Sequence, residues 1–173
     1  LAAGWRRIAQ EEAFMGRCGQ VGDELGSRLV AARLVRDLMR LCFTMERRYA
    51  PYLKWLGSAF AQLDCAADLG PILTRALAAD SWPERQTHLS AAYERVAAMH
   101  NALGITEPLS PEVSPYYDRP FVVIHGDRFV DAIRAQIESD EVRALPEHLG
   151  GVDQFIDSTD AQHDLARIKA VYG

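Results

Sequence analysis

Apolar residues return at helical intervals along most of the chain. Trp5, Ile8, Ala9 and Phe14 mark the buried side of a first helix from Trp5 to about Cys18. Gly16 and Gly19 suit a turn, whereas Gly22 and Gly26 stand one helical step apart. From about Val21 to Tyr49, the residues Leu25, Leu29, Ala32, Val35, Leu38, Met39, Cys42, Phe43 and Met45 build a wide apolar surface, which predicts the central helix of a bundle. Pro51 is expected to end or kink that helix. A third helix is predicted from Tyr52 to about Leu63, and a short fourth from about Leu69 to Ala79 with Pro71 at its start. Asp80 or Ser81, ahead of Pro83 and Glu84, caps a fifth that runs through His100 to Gly104.

The pattern then loosens. Pro108, Pro111 and Pro115 make 105–119 an irregular connection. Phe121 to Ile124 is β-branched and reads as a short strand or as the lead-in to a helix. Asp127 to Glu138 is helical, Asp140 to Leu145 a short turn, and Ser158 or Thr159 caps a final helix from about Asp160 to Tyr172. The fold class is all-α: one domain over 1–173, a bundle of about five to seven helices around one long central helix, with a short irregular or β segment near 120–125.

Composition narrows the function classes. The chain has 173 residues, 49% of them hydrophobic and 25% charged, in the ordinary globular range. A net charge of -5 gives no general electrostatic reason to bind nucleic acid or anionic lipid. No run of about 18 apolar residues is present, and the start lacks the basic-then-apolar pattern of a signal peptide. Cys18, Cys42 and Cys65 are too few and too widely spaced for a zinc knuckle or a redox pair, and fit reduced thiols of a cytoplasmic protein. The chain opens on Leu1 and runs directly into a helical pattern, as a piece cut from a longer protein would.

The densest polar signal lies on the long helix. Arg33, Arg36, Arg40 and Arg47, with Thr44 between them, follow steps of three and four and share one face over roughly 20 Å. Asp37 lies beside the stripe and Arg48 is close by. Guanidinium forks at this spacing suit phosphate oxygens or paired carboxylates; the plainer reading is a solvated face or ion pairs to Glu11 and Glu12. Tyr49, Tyr52 and Lys54 follow at the Pro51 break, where a phosphate or base would meet freed backbone groups, while Trp55 serves equally as a core anchor. Asp23, Ser27 and Arg28 fall on consecutive turns, and Glu24–Arg28 forms an i,i+4 pair. The five histidines form no metal-binding pair; Asp157, Asp160 and His163 have helical spacing, yet a capped helix start explains Asp160 without a metal; and no nucleophile elbow, Walker loop or dinucleotide fingerprint occurs. No residue of the chain is assigned as catalytic or as a metal ligand.

The runs IAQEEAFMGRCGQVGDELGSRLVAARLVRDLMRL and ERRYAPYLKWLGSAF, with HNALGI, RPFVVIHGDRF and VDQFIDSTD, resemble domain of unknown function 4037, a bacterial family common in actinobacteria. The resemblance runs over nearly the whole chain. It implies a helical C-terminal domain, similar in role to the helical half of kanamycin nucleotidyltransferase. The partner it implies is a preceding nucleotidyltransferase-like domain of the same polypeptide, which would hold Mg2+ and a nucleoside triphosphate. Beside it, Arg33, Arg36, Arg40 and Lys54 offset phosphate charge, and Asp23, Glu24 or Asp37 orients an acceptor hydroxyl. Two rivals stand. Arg95 and His100 match the Arg-x(4–6)-His spacing of helical-bundle ribonucleases, although Val96 replaces the polar residue usual after the arginine. The other rival is a structural or dimerising bundle without a ligand.

Overall fold

In a computed structural model, residues 1–145 are described together with residues 165, 166 and 169. Leu165, Ala166 and Lys169 are helical; the rest of the expected final helix, its cap, His148 and the Asp157–Asp160–His163 trio lie outside the described residues. Within residues 1–145 lie eight helical segments: α1 (Ala2–Glu11), α2 (Phe14–Gln20), α3 (Glu24–Met45), α4 (Leu53–Phe60), α5 (Ala66–Ala78), α6 (Trp82–Ala102), α7 (Asp127–Ala135) and α8 (Asp140–Arg143). Two short strands, β1 (Ser114–Pro115) and β2 (Val122–Val123), pair antiparallel, with Ser114 opposite Val123. The chain is mostly helical, as its periodicity predicts, and the β-branched run supplies the small strand.

The long helix α3, with 22 residues, packs against α6, with 21, and the two together carry the core. Leu34, Leu38, Leu41 and Cys42 of α3 meet Leu89, Ala92, Val96 and Ala97 of α6 in one buried cluster that also takes Trp5, Ile8, Leu69 and Phe129. The exposed face of α3 is less polar than a solvated face usually is, since Leu25 and Leu29 stand outside the core with Phe14 and Val21. These four were expected to be buried or at the start of the helix, and periodicity alone does not tell which side of a helix a neighbour covers.

Local chemistry moves several boundaries. The expected first helix is broken at Glu12–Ala13 into α1 and α2. Gly16 and Gly19 lie within α2: a Cβ at Gly16 would stand 2.5 Å from the Phe121 ring, and one at Gly19 2.2 Å from Trp82. They permit close packing, and the turn falls instead at Gly22, with φ 77. Asp23 then caps α3, its carboxylate accepting from Gly26 N at 2.7 Å. The far end of α3 stops before Pro51. Arg47 takes a left-handed φ of 55, Arg48 N donates to Phe43 O at 2.8 Å and Arg47 N to Thr44 O at 3.2 Å, which is a Schellman motif with arginine where glycine is usual. Pro71 sits inside α5 rather than at its start.

Two buried charges fasten the bundle where no sequence pattern announces them. Arg85, fully buried, donates to Ser27 Oγ at 2.8 Å, Glu24 Oε2 at 3.2 Å and Ala79 O at 3.0 Å, so it ties the starts of α3 and α6 together. Glu12 accepts from the backbone N–H groups of Ile124, His125 and Gly126 at 2.9, 3.0 and 3.1 Å. It thereby holds the left-handed His125 at the start of α7. No described helix is long and apolar enough to cross a membrane.

Candidate functional site

The Schellman turn after α3 carries the chain back along the helix it has just left. Residues 48–50 thus come to lie beside the last turns of α3 and the first turn of α1. Between them opens a cleft of about 360 Å3, lined by Leu1, Ala3, Gly4 and Arg7 from the α1 side, Arg36, Asp37, Arg40, Leu41 and Thr44 from α3, and Arg48, Tyr49 and Ala50 from the turn. Helical geometry explains the α3 contribution: positions 36, 37, 40, 41 and 44 fall on one side of a 3.6-residue repeat. Among the described residues, four arginines and one carboxylate, Asp37, line this cleft.

Asp37 is 6% exposed. Its Oδ2 lies 3.3 Å from Arg7 Nε and its Oδ1 3.5 Å from Arg36 Nε. Oδ2 is shut off from water yet accepts no hydrogen bond from the described residues. Burial pushes the Asp37 carboxyl up from the usual aspartate value, and the charges of Arg7 and Arg36 only partly oppose it. The contrast is Glu11, one helical turn beyond Arg7. Burial alone would raise Glu11, but hydrogen bonds from Arg33 and Arg7 outweigh it and hold the carboxyl below the ordinary glutamate value. Arg7 joins the two acids, with Nη2 2.6 Å from Glu11 Oε1 and Nε on Asp37.

The predicted site residues divide. Arg36, Asp37, Arg40 and Tyr49 meet at the cleft, with Thr44 and Arg48. Arg33 does not line it; its guanidinium forks onto Glu11 at 2.8 and 2.6 Å. Arg47, exposed, makes the left-handed turn. Tyr52 and Lys54 lie outside the cleft, both exposed, and the Lys54 ammonium stands 5.4 Å over the Trp55 ring. Trp55 is 53% exposed and anchors no core. Asp23 is taken up by capping and Glu24 by Trp82 N and Arg85. Arg7 is the cleft residue that the sequence reading missed; its signal was the i,i+4 Arg7–Glu11 pair on a helix whose opposite side carries Trp5 and Ile8.

Arg95 and His100 do not meet. Arg95 pairs with Asp68 at the surface. His100 is fully buried, accepting from Trp5 Nε1 at 3.1 Å on Nδ1 and lying 3.1 Å from Thr106 Oγ1 on Nε2. Burial lowers its pKa, and the Trp5 donor requires Nδ1 to be unprotonated, so the ring is a neutral core element.

Compared with known proteins, residues 1–56 match the family model described as Domain of unknown function (DUF4037). The similarity thus falls on the first third of the chain, a shorter span than the sequence reading gave it, and it contains every residue that lines the cleft. No curated protein and no solved structure matches the chain.

Proposed function

We propose that this chain is the helical, substrate-binding part of a nucleotidyltransferase-like protein, and that the cleft between α1 and α3 holds a phosphate-bearing group of its substrate. The observation that carries the reading is the gathering of Arg7, Arg36, Arg40 and Arg48 around one buried carboxylate. Guanidinium groups present fixed forks that match phosphate oxygens, and a partly enclosed cleft strengthens such contacts by limiting water.

The residues present do not fit magnesium. The cleft's single carboxylate faces two guanidinium groups, and no group of three or more histidine, cysteine, aspartate or glutamate side chains gathers among the described residues. In this reading the metal and the reacting nucleotide belong to a partner domain of the same polypeptide, and the helical part positions and neutralises the substrate.

Backbone amide spectra recorded while inorganic pyrophosphate is added test the proposal. Saturable shifts are expected at Arg36, Arg40, Thr44 and Arg48, with Lys54 and Arg95 unmoved. Shifts spread evenly over all exposed basic residues would contradict it. One observation favours a second reading, a self-associating bundle: Phe14, Val21, Leu25 and Leu29 are 43%, 81%, 71% and 61% exposed on neighbouring parts of α2 and α3. Light scattering that gives a dimer, lost on Leu25→Glu, would support it.

A further inference from the structure

Cys42 and Cys65 stand too far apart in the sequence to announce a pair, and the fold brings them together. Cys42 lies one helical turn before Glu46, the residue that caps the end of α3. Glu46 Oε2 accepts from Asp64 N at 2.8 Å and Oε1 from Cys65 N at 3.0 Å, so one carboxylate clamps the start of α5 against the last turn of α3. Inside this join the Cys42 thiol donates to the Cys65 sulfur, and the Cys65 thiol donates to Glu46. Cys42 is fully buried, Cys65 is 8% exposed, and both sulfurs are free thiols. The hydrogen bond to Cys65 and burial push the Cys42 thiol up, so Cys42 keeps its proton. Burial alone would raise Glu46, but the Cys65 and Asp64 amides and the Cys65 thiol hold its carboxyl below the ordinary glutamate value, and it stays an acceptor. Cys18, on α2, has Arg17 and Asp23 as its charged neighbours and takes no part in the chain of thiols.

We infer that Cys42 and Cys65 form a thiol pair that hydrogen peroxide oxidises to a disulfide, with Cys65 reacting first and Cys42 resolving it. Cys65 has the access: it ends the turn that leads into α5, and peroxide is little larger than water. The Cys65 proton passes to water and its sulfur bonds to one peroxide oxygen. The O–O bond breaks, the departing hydroxide takes up a proton, and Cys65 is left as a sulfenic acid. The Cys42 sulfur then attacks the Cys65 sulfur: the S–S bond forms, the S–O bond breaks, and the leaving hydroxide takes the Cys42 proton. Two thiols and one peroxide give one disulfide and two waters, with two electrons passing from sulfur to oxygen. The new bond closes a loop that holds the turn at 46–50 and α4, so oxidation staples the end of α3 to the start of α5.

Treatment of the folded 173-residue chain with hydrogen peroxide, followed by alkylation of the remaining thiols and peptide mass spectrometry, tests the inference. The expected product is a crosslink between Cys42 and Cys65 within one chain, removed by dithiothreitol, with Cys18 still alkylated. In Cys42→Ser the resolving thiol is gone, so dimedone is expected to trap a sulfenic acid on Cys65. In Cys65→Ser, Cys42 is expected to stay reduced. A crosslink from Cys18 to either residue overturns the inference, as does sulfinic acid on Cys65 of the unaltered chain beside an untouched Cys42. Survival of both thiols under peroxide that oxidises them in urea overturns it equally. The crosslink is read in the unaltered chain, so the result stands even where a variant fails to fold.

Discussion

Arg33 of α3 forks onto Glu11 of α1, Nε to Oε2 at 2.8 Å and Nη2 to Oε1 at 2.6 Å, and this pair removes one member of the arginine stripe from the cleft. Glu11 keeps Arg7 when Arg33 is lost, so Arg33→Ala is expected to cost only about 1 kcal/mol. Urea denaturation reads the loss, and phosphate affinity is expected to hold. A large drop in affinity with little change in stability would place Arg33 in the site after all.

Arg47 holds a left-handed backbone that glycine adopts without steric cost. Relief of that cost, less the entropy glycine adds to the unfolded chain, is expected to make Arg47→Gly more stable by roughly 0.5–1 kcal/mol. The same denaturation midpoint checks it. Destabilisation would mean that the Arg47 side chain contributes more than its conformation does.

Glu12 offers a pH test. Burial pushes its carboxyl up to about 7, against hydrogen bonds from three backbone amides. The folded state therefore binds a proton that the unfolded state, with its ordinary value of 4.5, releases. Stability contributed by Glu12 is fully present below 4.5 and is lost as pH rises through about 7. Glu12→Gln presents an N–H where an acceptor is needed and is expected to be destabilised. Its deficit relative to the unaltered protein should narrow from pH 4.5 to pH 7. A deficit that widens over this range would show that the three amides outweigh burial.

His100 and Gly19 test the core. His100→Ala leaves a cavity among Trp5, Phe129 and Thr106 and strands the Trp5 N–H, with an expected loss of about 2–4 kcal/mol. RNA cleavage that vanishes in a folded His100 variant would contradict its structural role. Gly19→Ala drives a methyl group into Trp82 and is expected to cost about 1–3 kcal/mol in thermal or urea unfolding, while Gly57→Ala, with open space around it, is expected to be near neutral or better.

The helices were legible in the sequence because burial repeats every three to four residues, and α3, α6 and α7 declare themselves that way. Their ends were less so. Arg47 terminates α3 through backbone hydrogen bonds that an arginine does not advertise, and the Glu12 carboxylate interrupts the first helix for amides 112 to 114 residues away. The arginine stripe showed where positive charge lies, and Arg36, Asp37, Arg40 and Tyr49 do converge. Which arginines face the cleft depends on the packing of α1 against α3, so Arg33 falls outside it on Glu11 and Arg7, not singled out in the sequence, falls within it. Tyr52 and Lys54 follow the site in sequence, but the turn at 46–50 directs them away from it.

The most direct test of the central claim is a calorimetric titration of inorganic pyrophosphate into the unaltered chain, Arg40→Ala and Lys54→Ala, at low and then raised salt. A cleft built for phosphate predicts saturable binding that weakens about tenfold or more on Arg40→Ala, is untouched by Lys54→Ala, and falls as salt screens the arginines. No binding, or equal binding by all three proteins, would contradict the account and leave the arginines as structural partners of Glu11 and Asp37.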